Sequence, residues 1–221
     1  MKKALCVKTK RLLLRPMSDE EIEQLIMKTD ADDLRSAYRE MLTGCKSDPE
    51  NREWYAPWAM ELKTEHTCIG DLGFKGPVHE NAVEIGYGIL PAYEGNGYTT
   101  EAVTAMTQWA FGCADVVFVE AETEPDNKAS QRVLEKCGFK PGGDGKEGPR
   151  FVLEKPLPNW MSIYMLFGLS IGTAIGSCMS GIGFGMPIGM SIGLCIGAAL
   201  DSSAKKERNR LREKRYGRQQ S

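Results

Sequence analysis

The sequence predicts an α/β fold of the α+β kind: a mixed, mostly antiparallel sheet flanked by helices, followed by a transmembrane helical hairpin. Three observations predict it. Strand-like and helix-like segments alternate in the order β-α-α-β-β-β-α-β-α-β between residues 9 and 154. Two of the strand-to-helix junctions have special chemistry, one glycine-bearing at 91–97 and one opened by Asn127. Residues 156–200 then carry no charge over 45 positions and place glycines every fourth residue.

Each element has its own signal. Residues 9–16 (TKRLLLRP) form a short apolar run that suits a first strand. Ser18-Asp-Glu-Glu21 has the form of a capping box, so a helix starts there and runs to about Lys28. A second helix is expected over 32–42, with Leu34, Tyr38, Met41 and Leu42 on one face. Pro49 in a polar stretch marks a loop. Strands are expected at 58–62 and 67–74, turning near 63–65, and another turn falls at 77–81. Residues 82–90 (AVEIGYGIL) read as a strand, 91–97 (PAYEGNG) as a loop, and 98–113 as a helix with Ala102, Met106, Trp109 and Ala110 at helical spacing. Residues 116–123 read as a buried strand, and Asn127 caps a helix over 128–137 that Gly138 closes. A loop at 142–148 and a last strand at 150–154 complete the set. Trp54, Tyr55 and Trp58 read as core aromatics rather than as the lining of a pocket.

Composition narrows the function classes. The 221 residues hold 28 Lys and Arg against 30 Asp and Glu, a net charge of −2. That balance hides a split: residues 201–221 carry eight basic and three acidic side chains, and the rest of the chain is acidic at −7. An acidic front argues against nucleic acid as a partner and suits a basic amine. The seven cysteines are odd in number and never spaced C-x-x-C, so reduced thiols are expected rather than a disulfide framework or a zinc site. His66 and His79 are the only histidines and have no partners at ligand spacing, so no metal is expected. Behind Met1-Lys-Lys only four apolar residues follow, too short a run for a secretory core.

Two junctions carry the chemistry. Gly95-Asn96-Gly97 lies between a strand and a helix. Backbone N–H groups there, with no Cβ in the way and a helix dipole behind them, suit a pyrophosphate. The run is neither G-x-G-x-x-G, since Thr100 stands at the third glycine, nor a Walker loop. At the second junction Asn127 caps a helix and still offers an amide to a ligand, and Ser130 follows one turn on.

Taken together, P-x-Y-x-G-x-G-Y-x-T-E-A at 91–102 and N-x-x-S-x-x-V-L-E-K-x-G-F at 127–139 resemble the GNAT acetyltransferases. The opening T-x-R-L-x-L-R-P at 9–16 is similar to the branch that includes ribosomal-protein N-terminal acetyltransferases. The resemblance covers residues 8–155 and implies the GNAT fold, with acetyl-CoA as cosubstrate. It places the pyrophosphate loop on Gly95, Asn96, Gly97, Tyr98, Thr99 and Thr100, with Glu94 where the family has Gln or Arg. It places the pantetheine arm along Tyr87, Gly88 and Ile89 and beside Asn127, with a backbone N–H there polarising the thioester carbonyl.

The reaction this implies needs a neutral amine, whose ammonium form has a reference pKa of about 10.4. Carboxylates on the central strands are the candidate bases: Glu84, and Glu120 or Glu122. Strand alternation puts Glu120, Glu122 and Glu124 on one face. Glu122 sits five residues before Asn127, where a related branch keeps its catalytic Glu. The Tyr that several family members use as acid, seven residues after the Asn, is Leu134 here, so Ser130 is the substitute. Catalysis by proximity with water as proton carrier stays open.

Beyond residue 156 the chain changes character. Gly168, Gly172 and Gly176, then Gly181, Gly185, Gly189, Gly193 and Gly197, form two ladders at steps of four, a glycine-zipper pattern that lets helices meet closely in lipid. Forty-five uncharged residues allow two spans of about 20, with the turn at 180–183. The expected division is therefore 1–156 acetyltransferase domain, 157–200 membrane hairpin and 201–221 basic tail. The basic tail puts both ends in the cytoplasm, where acetyl-CoA is found. The hairpin enters the bilayer through 160–200, and its ladders are candidates for self-association. The expected function is transfer of acetyl from acetyl-CoA to a primary amine, a protein N-terminus or a small molecule. The alternative is a non-catalytic, membrane-tethered acyl-CoA-binding or scaffold protein.

Overall fold

The computed structural model describes residues 5–113, 115–178 and 182–217, and the chain divides into two compact units, Met1–Lys155 and Pro156–Ser221. The first unit is an eight-stranded sheet in the order β1-β2-β3-β4-β5-β6-β8-β7. Its strands are β1 Val7–Lys8, β2 Leu12–Pro16, β3 Trp58–Leu62, β4 Cys68–Phe74, β5 Ala82–Ile89, β6 Phe118–Glu122, β7 Lys140–Asp144 and β8 Pro149–Glu154. Its helices are α1 Asp19–Lys28, α2 Asp32–Ser47, α3 Tyr98–Gly112 and α4 Lys128–Lys136. All neighbouring strands are antiparallel except β5 and β6.

The sheet is covered on both faces. Helices α1 and α2 pack on one, through Met17, Ile22, Tyr38, Cys45, Ala56 and Ala59. Helices α3 and α4 bury Ala102, Val103, Met106, Ala110 and Leu134 against Leu12, Leu14, Met60, Leu72 and Ile85 on the other. Trp54, Trp58 and Phe74 crowd around Trp109 with ring centroids 4.9–5.8 Å away, and Trp58 is fully buried. These aromatics are core, as expected, and area burial of this size contributes more than any polar pair in the unit.

Several boundaries differ from the sequence reading for physical reasons. The first strand is two: Thr9 N–H and its hydroxyl both bond to Leu12 O, which folds 7–16 into a tight hairpin. The capping box at Ser18 forms in full, and α1 ends at Lys28. Helix α2 runs five residues beyond the expected Leu42, and within that extension Gly44 leaves room for the ring of Tyr55. Its buried face uses Tyr38 and Cys45, and Leu34 is exposed. The expected loop at 142–148 contains the end of β7, an edge strand of Lys-Pro-Gly-Gly-Asp with little strand propensity of its own. Pairing to β8 makes it a strand, and Gly142 fits there because a Cβ would come 2.5 Å from Val152 Cγ2.

The second unit is a pair of helices, α5 Trp160–Cys178 and α6 Ile182–Tyr216. The expected turn at 180–183 lies partly outside the described residues, and α6 already begins at Ile182. The glycines form the seam. A Cβ on Gly168 or Gly172 would strike the carbonyl of Gly189 or Gly185, and one on Gly193 would strike that of Tyr164. The seam is sealed at one end by Asp201, whose carboxylate accepts the N–H groups of Trp160 at 2.9 Å and Met161 at 3.1 Å. A side chain of α6 thus caps the first turn of α5 and meets its positive dipole end. Outward from the seam stand Phe167, Ile171, Ile188 and Ile192, all more than half exposed. Both helices are long and apolar enough to cross a membrane by length and composition. Helix α6 continues without a break through the basic stretch, so residues 201–216 are helical and not a loose tail.

Candidate functional site

The site is a gap in the sheet. Strands β5 and β6 are paired from Ala82↔Phe118 only as far as Glu84↔Glu120. Beyond that, β5 continues to Ile89 beside β4, with no strand on its other edge among the described residues. Lys75 N–H donates to Glu84 O, and Leu90 N–H to Ile69 O, so the even-numbered residues of β5 turn their backbone groups to β4. Strand alternation then aims the N–H groups of Tyr87 and Ile89 into the gap. The Gly88 amide is turned away from it. What Gly88 offers is the absence of a side chain.

One lip of the gap is the loop before α3. Gly95 and Gly97 both have positive φ, at 75° and 76°, a conformation that favours glycine. Gly97 is the residue before the first turn of α3 and accepts the Glu101 N–H. Asn96 folds back, donating from Nδ2 to the carbonyls of Tyr93 and Glu94. Thr99 is buried in the core beneath the loop, which explains a modest side chain there. The result is an N-terminal helix turn with Tyr98, Thr99 and Thr100 presenting orphan N–H groups.

The loop is held from outside by residues that motif spacing alone gave no role. Glu101 accepts from the Thr9 hydroxyl at 2.6 Å, the Arg11 backbone N–H at 2.7 Å and Arg11 Nε at 2.7 Å. Arg11 then donates from Nη1 to Asn96 O at 3.0 Å and lies over the Tyr98 ring, 4.3 Å from its centroid. Burial pushes the Glu101 carboxyl up, but these donors outweigh it and hold it below the usual carboxylate range. Both Arg11 and Glu101 stand inside the recognisable motifs, so a signal existed; their pairing over 90 residues did not show in the sequence.

The other lip is the start of α4. Asn127 Oδ1 accepts the Ser130 N–H at 2.9 Å, as a cap should. Ser130 Oγ lies 2.8 Å from Tyr87 Oη, so a hydroxyl pair bridges β5 and α4 across the gap. Burial pushes the Tyr87 phenol up to about 12, and the group keeps its proton at neutral pH. Leu134 is fully buried, so the position seven residues after Asn127 belongs to the core.

The two expected bases are each engaged by a cation. Glu122 is almost sealed, with its side chain 7% exposed, against Arg150 at 11% and 3.0 Å away. It also accepts the backbone N–H groups of Lys146 and Glu147, so it ties down the β7–β8 turn. Burial raises its pKa, and the Glu147 and Lys146 N–H groups and Arg150 more than offset that, leaving it depressed. A carboxylate so placed is a weak proton acceptor and has its lone pairs occupied, which speaks against the expected base role. Glu84 pairs with Lys75, Nζ to Oε1 2.6 Å. Glu84, Glu122 and Glu147 bring oxygens within 4.8 Å of one another, and Lys75 and Arg150 supply the countercharge. Glu120 is buried behind them, and Glu124 lies past the end of β6, outside the expected shared strand face.

The site is a sheet that splays between two parallel strands, with the N-terminal turn of a helix on one lip and a capping Asn on the other, an arrangement that suits an extended anionic ligand. The chain belongs to the acetyltransferase (GNAT) domain family, whose profile matches residues 11–140. It is similar to the uncharacterized N-acetyltransferase YjdG of Bacillus subtilis, 35% identical over 83 residues, 37% of this chain and 49% of that protein. The chain thus spans about half the length of that relative. Its fold is similar to a putative ribosomal-protein-serine acetyltransferase from Vibrio cholerae, with TM-score 0.54, 23% identity, and 70% of this chain and 99% of that one covered. It is also similar to Mycobacterium smegmatis RimJ in complex with CoA-disulfide, with TM-score 0.52, 19% identity, and 67% and 86% covered.

Proposed function

We propose that the chain is an acetyl-CoA-dependent N-acetyltransferase of a primary amine, a protein N-terminus or a small-molecule amine, held to a membrane by its α5–α6 hairpin. The observation that carries the reading is the gap: β5 loses β6 after Glu84, and both lips of the opening carry groups suited to acetyl-CoA. In this reading the pyrophosphate sits on the N–H groups of 95–100, and the pantetheine runs between β5 and α4. Tyr87 and Ile89 N–H groups lie on either side of Gly88 where the thioester carbonyl would develop charge. The Asn127 amide, whose oxygen serves the cap, keeps its N–H groups for the pantetheine.

Ser130, with Tyr87 behind it, is the donor that returns a proton to the departing thiolate. The raised Tyr87 pKa supports this, because a donor must hold its proton at working pH. Glu122 and Glu84 serve the site by holding the β7–β8 turn and Lys75. The hairpin reading rests on outward Phe167, Ile171, Ile188 and Ile192, which water would leave exposed. Its glycines are used inside the chain, α5 against α6, so the zipper closes the hairpin rather than joining copies. Basic residues after Asp201 set the cytoplasmic side.

The test is CoA release by the full chain in detergent micelles, with acetyl-CoA and a panel of peptides, polyamines and aminoglycosides. Turnover on an amine, reduced at least tenfold in Ser130→Ala, is the expected result. Tight acetyl-CoA binding without turnover across the panel would make it an acyl-CoA-binding or scaffold protein instead, a reading that the core position of Leu134 favours.

A further inference from the structure

One half-buried carboxylate on the sheet has no cation paired with it among the described residues. Asp71 lies in the middle of β4, on the face covered by α2. Its partner is Tyr38 of α2, whose hydroxyl lies 3.1 Å from each of Oδ1 and Oδ2. A phenol supplies one proton to two oxygens, so the carboxylate keeps acceptor capacity in reserve.

Its position is the informative part. Asp71 is in register with Gly88 of β5. A Cβ on Gly88 would stand 3.9 Å from Asp71 Oδ1, and one on Gly86 would meet nothing within 4 Å. Two glycines therefore leave a bare strip of backbone beside the carboxylate. The residues flanking Gly88 are Tyr87 and Ile89, whose N–H groups aim into the gap. Tyr87 reaches α4 with its side chain, so the odd residues of β5 face the α3 and α4 side. Asp71 and the glycine strip face the opposite side. An amine arriving over the strip would reach the gap from the side away from the cofactor lips.

We propose that Asp71, held by Tyr38, receives the acceptor's ammonium group on the Gly86–Gly88 strip and takes a proton from it; this rests on the acetyltransferase reading above. The ammonium gives one N–H proton to the Asp71 carboxylate, and the freed lone pair forms the N–C bond to the thioester carbon. Collapse breaks the C–S bond, Ser130 gives its proton to the thiolate and is reprotonated by the second N–H proton, and Asp71 returns its own proton to water. The sum is ammonium plus acetyl-CoA giving amide, CoA thiol and one proton.

The surroundings suit the task. Burial pushes the Asp71 carboxyl up to about 6, and the Tyr38 hydrogen bond works the other way. Other groups around it are Cys68 on its own strand and Glu61 with its partner Arg15 on β3 and β2; β5 places Gly86 and Gly88 beside it, and Glu84, paired with Lys75, farther along the same face. A base near 6 is ionised at neutral pH yet stronger than an exposed aspartate.

The experiment uses the full chain in micelles with acetyl-CoA and spermidine, kanamycin, and hexapeptides beginning in Ala, Ser or Met, the best acceptor being carried forward. Asp71→Asn should lower kcat/KM for that amine by about 100-fold or more, with acetyl-CoA affinity within about twofold, and should melt no lower than the unaltered chain at pH 7.5. Tyr38→Phe should move the acid limb of the kcat/KM profile to higher pH, a shift that a purely structural role would not produce. Asp71→Asn turnover within about threefold of the unaltered chain, on an unchanged profile, overturns this inference alone. Failure of the unaltered chain to acetylate any amine while binding acetyl-CoA overturns it together with the reading it rests on.

Discussion

Glu101→Gln separates the network that shapes the cofactor loop from the loop itself. The carboxylate makes three bonds of 2.6–2.7 Å, two on Oε1 and one on Oε2. An amide offers only one oxygen. With that oxygen facing Thr9 and the Arg11 backbone, its NH2 must face Arg11 Nε, donor against donor. One charge-assisted bond is lost, which costs about 1.5–3 kcal/mol in general. Arg11 is 40% exposed, so solvent screens part of this and about 2 kcal/mol is a fair figure. Arg11 then loses its hold beside Asn96 O. If the whole cost falls on ordering residues 95–97, acetyl-CoA affinity drops about 30-fold, since 1.4 kcal/mol is tenfold. Calorimetric titration of the full chain with acetyl-CoA reads the affinity, and thermal unfolding reads the stability. A variant that melts lower but binds acetyl-CoA within twofold of the unaltered chain would refute the link between the Thr9–Arg11–Glu101 network and the loop.

Four further outcomes follow from the same structure. Glu122→Ala takes from the nearly buried Arg150 a carboxylate held at 3.0 Å and should cost about 3 kcal/mol of stability, seen in chemical denaturation; Glu122→Gln, which keeps two acceptor contacts, should cost less and retain turnover. Because the Glu122 and Glu101 carboxyls are both depressed in the folded state, their contribution is present above about pH 4.3 and is lost as pH falls through their folded values, so melting temperature should drop on acidification below that point. Tyr87→Phe removes the phenol behind Ser130 and should lower kcat with little change in acetyl-CoA affinity, measured by steady-state kinetics. Gly172→Val places a side chain against the backbone of Gly185 and should open the α5–α6 seam, detected as loss of a cysteine cross-link engineered between the helices.

Much of the first unit was legible because local and tertiary signals agree there. The capping box at Ser18, the cap at Asn127 and the positive-φ glycines before α3 are local chemistry, and each formed where its residues stand. What the sequence hid is long-range. Edge strand β7 exists by pairing with β8 across a glycine that accommodates Val152, and nothing in Lys-Pro-Gly-Gly-Asp announces it. The packing of Tyr55 on Gly44 in the last turns of α2 joins residues 11 positions apart across the intervening Pro49 segment. The same holds in the site. Acidic residues on central strands looked like bases, but Glu122 and Glu84 are held by Arg150 and Lys75, whose nearness depends on the β7–β8 turn and the register of β5. Asp71 gave no signal, because its distinction comes from Tyr38, 33 residues earlier, and from a glycine on the next strand. Tyr87 was recognised for its backbone, and its hydroxyl became visible only with α4 in place.

The Asp201 cap has a consequence for reach. It fixes the level at which α5 begins against the level at which α6 turns from apolar to charged. Residues 202–216 continue α6 beyond that level as one helix, and at about 1.5 Å per residue they extend roughly 22 Å. Electrostatic attraction to anionic headgroups fades over about 8 Å at physiological salt. In a bilayer, a helix that keeps its direction would give only its first turn, around Lys205 and Lys206, to the lipid surface. The later arginines would stand off as a charged rod, a spacer whose length is set by the number of residues between Asp201 and Tyr216.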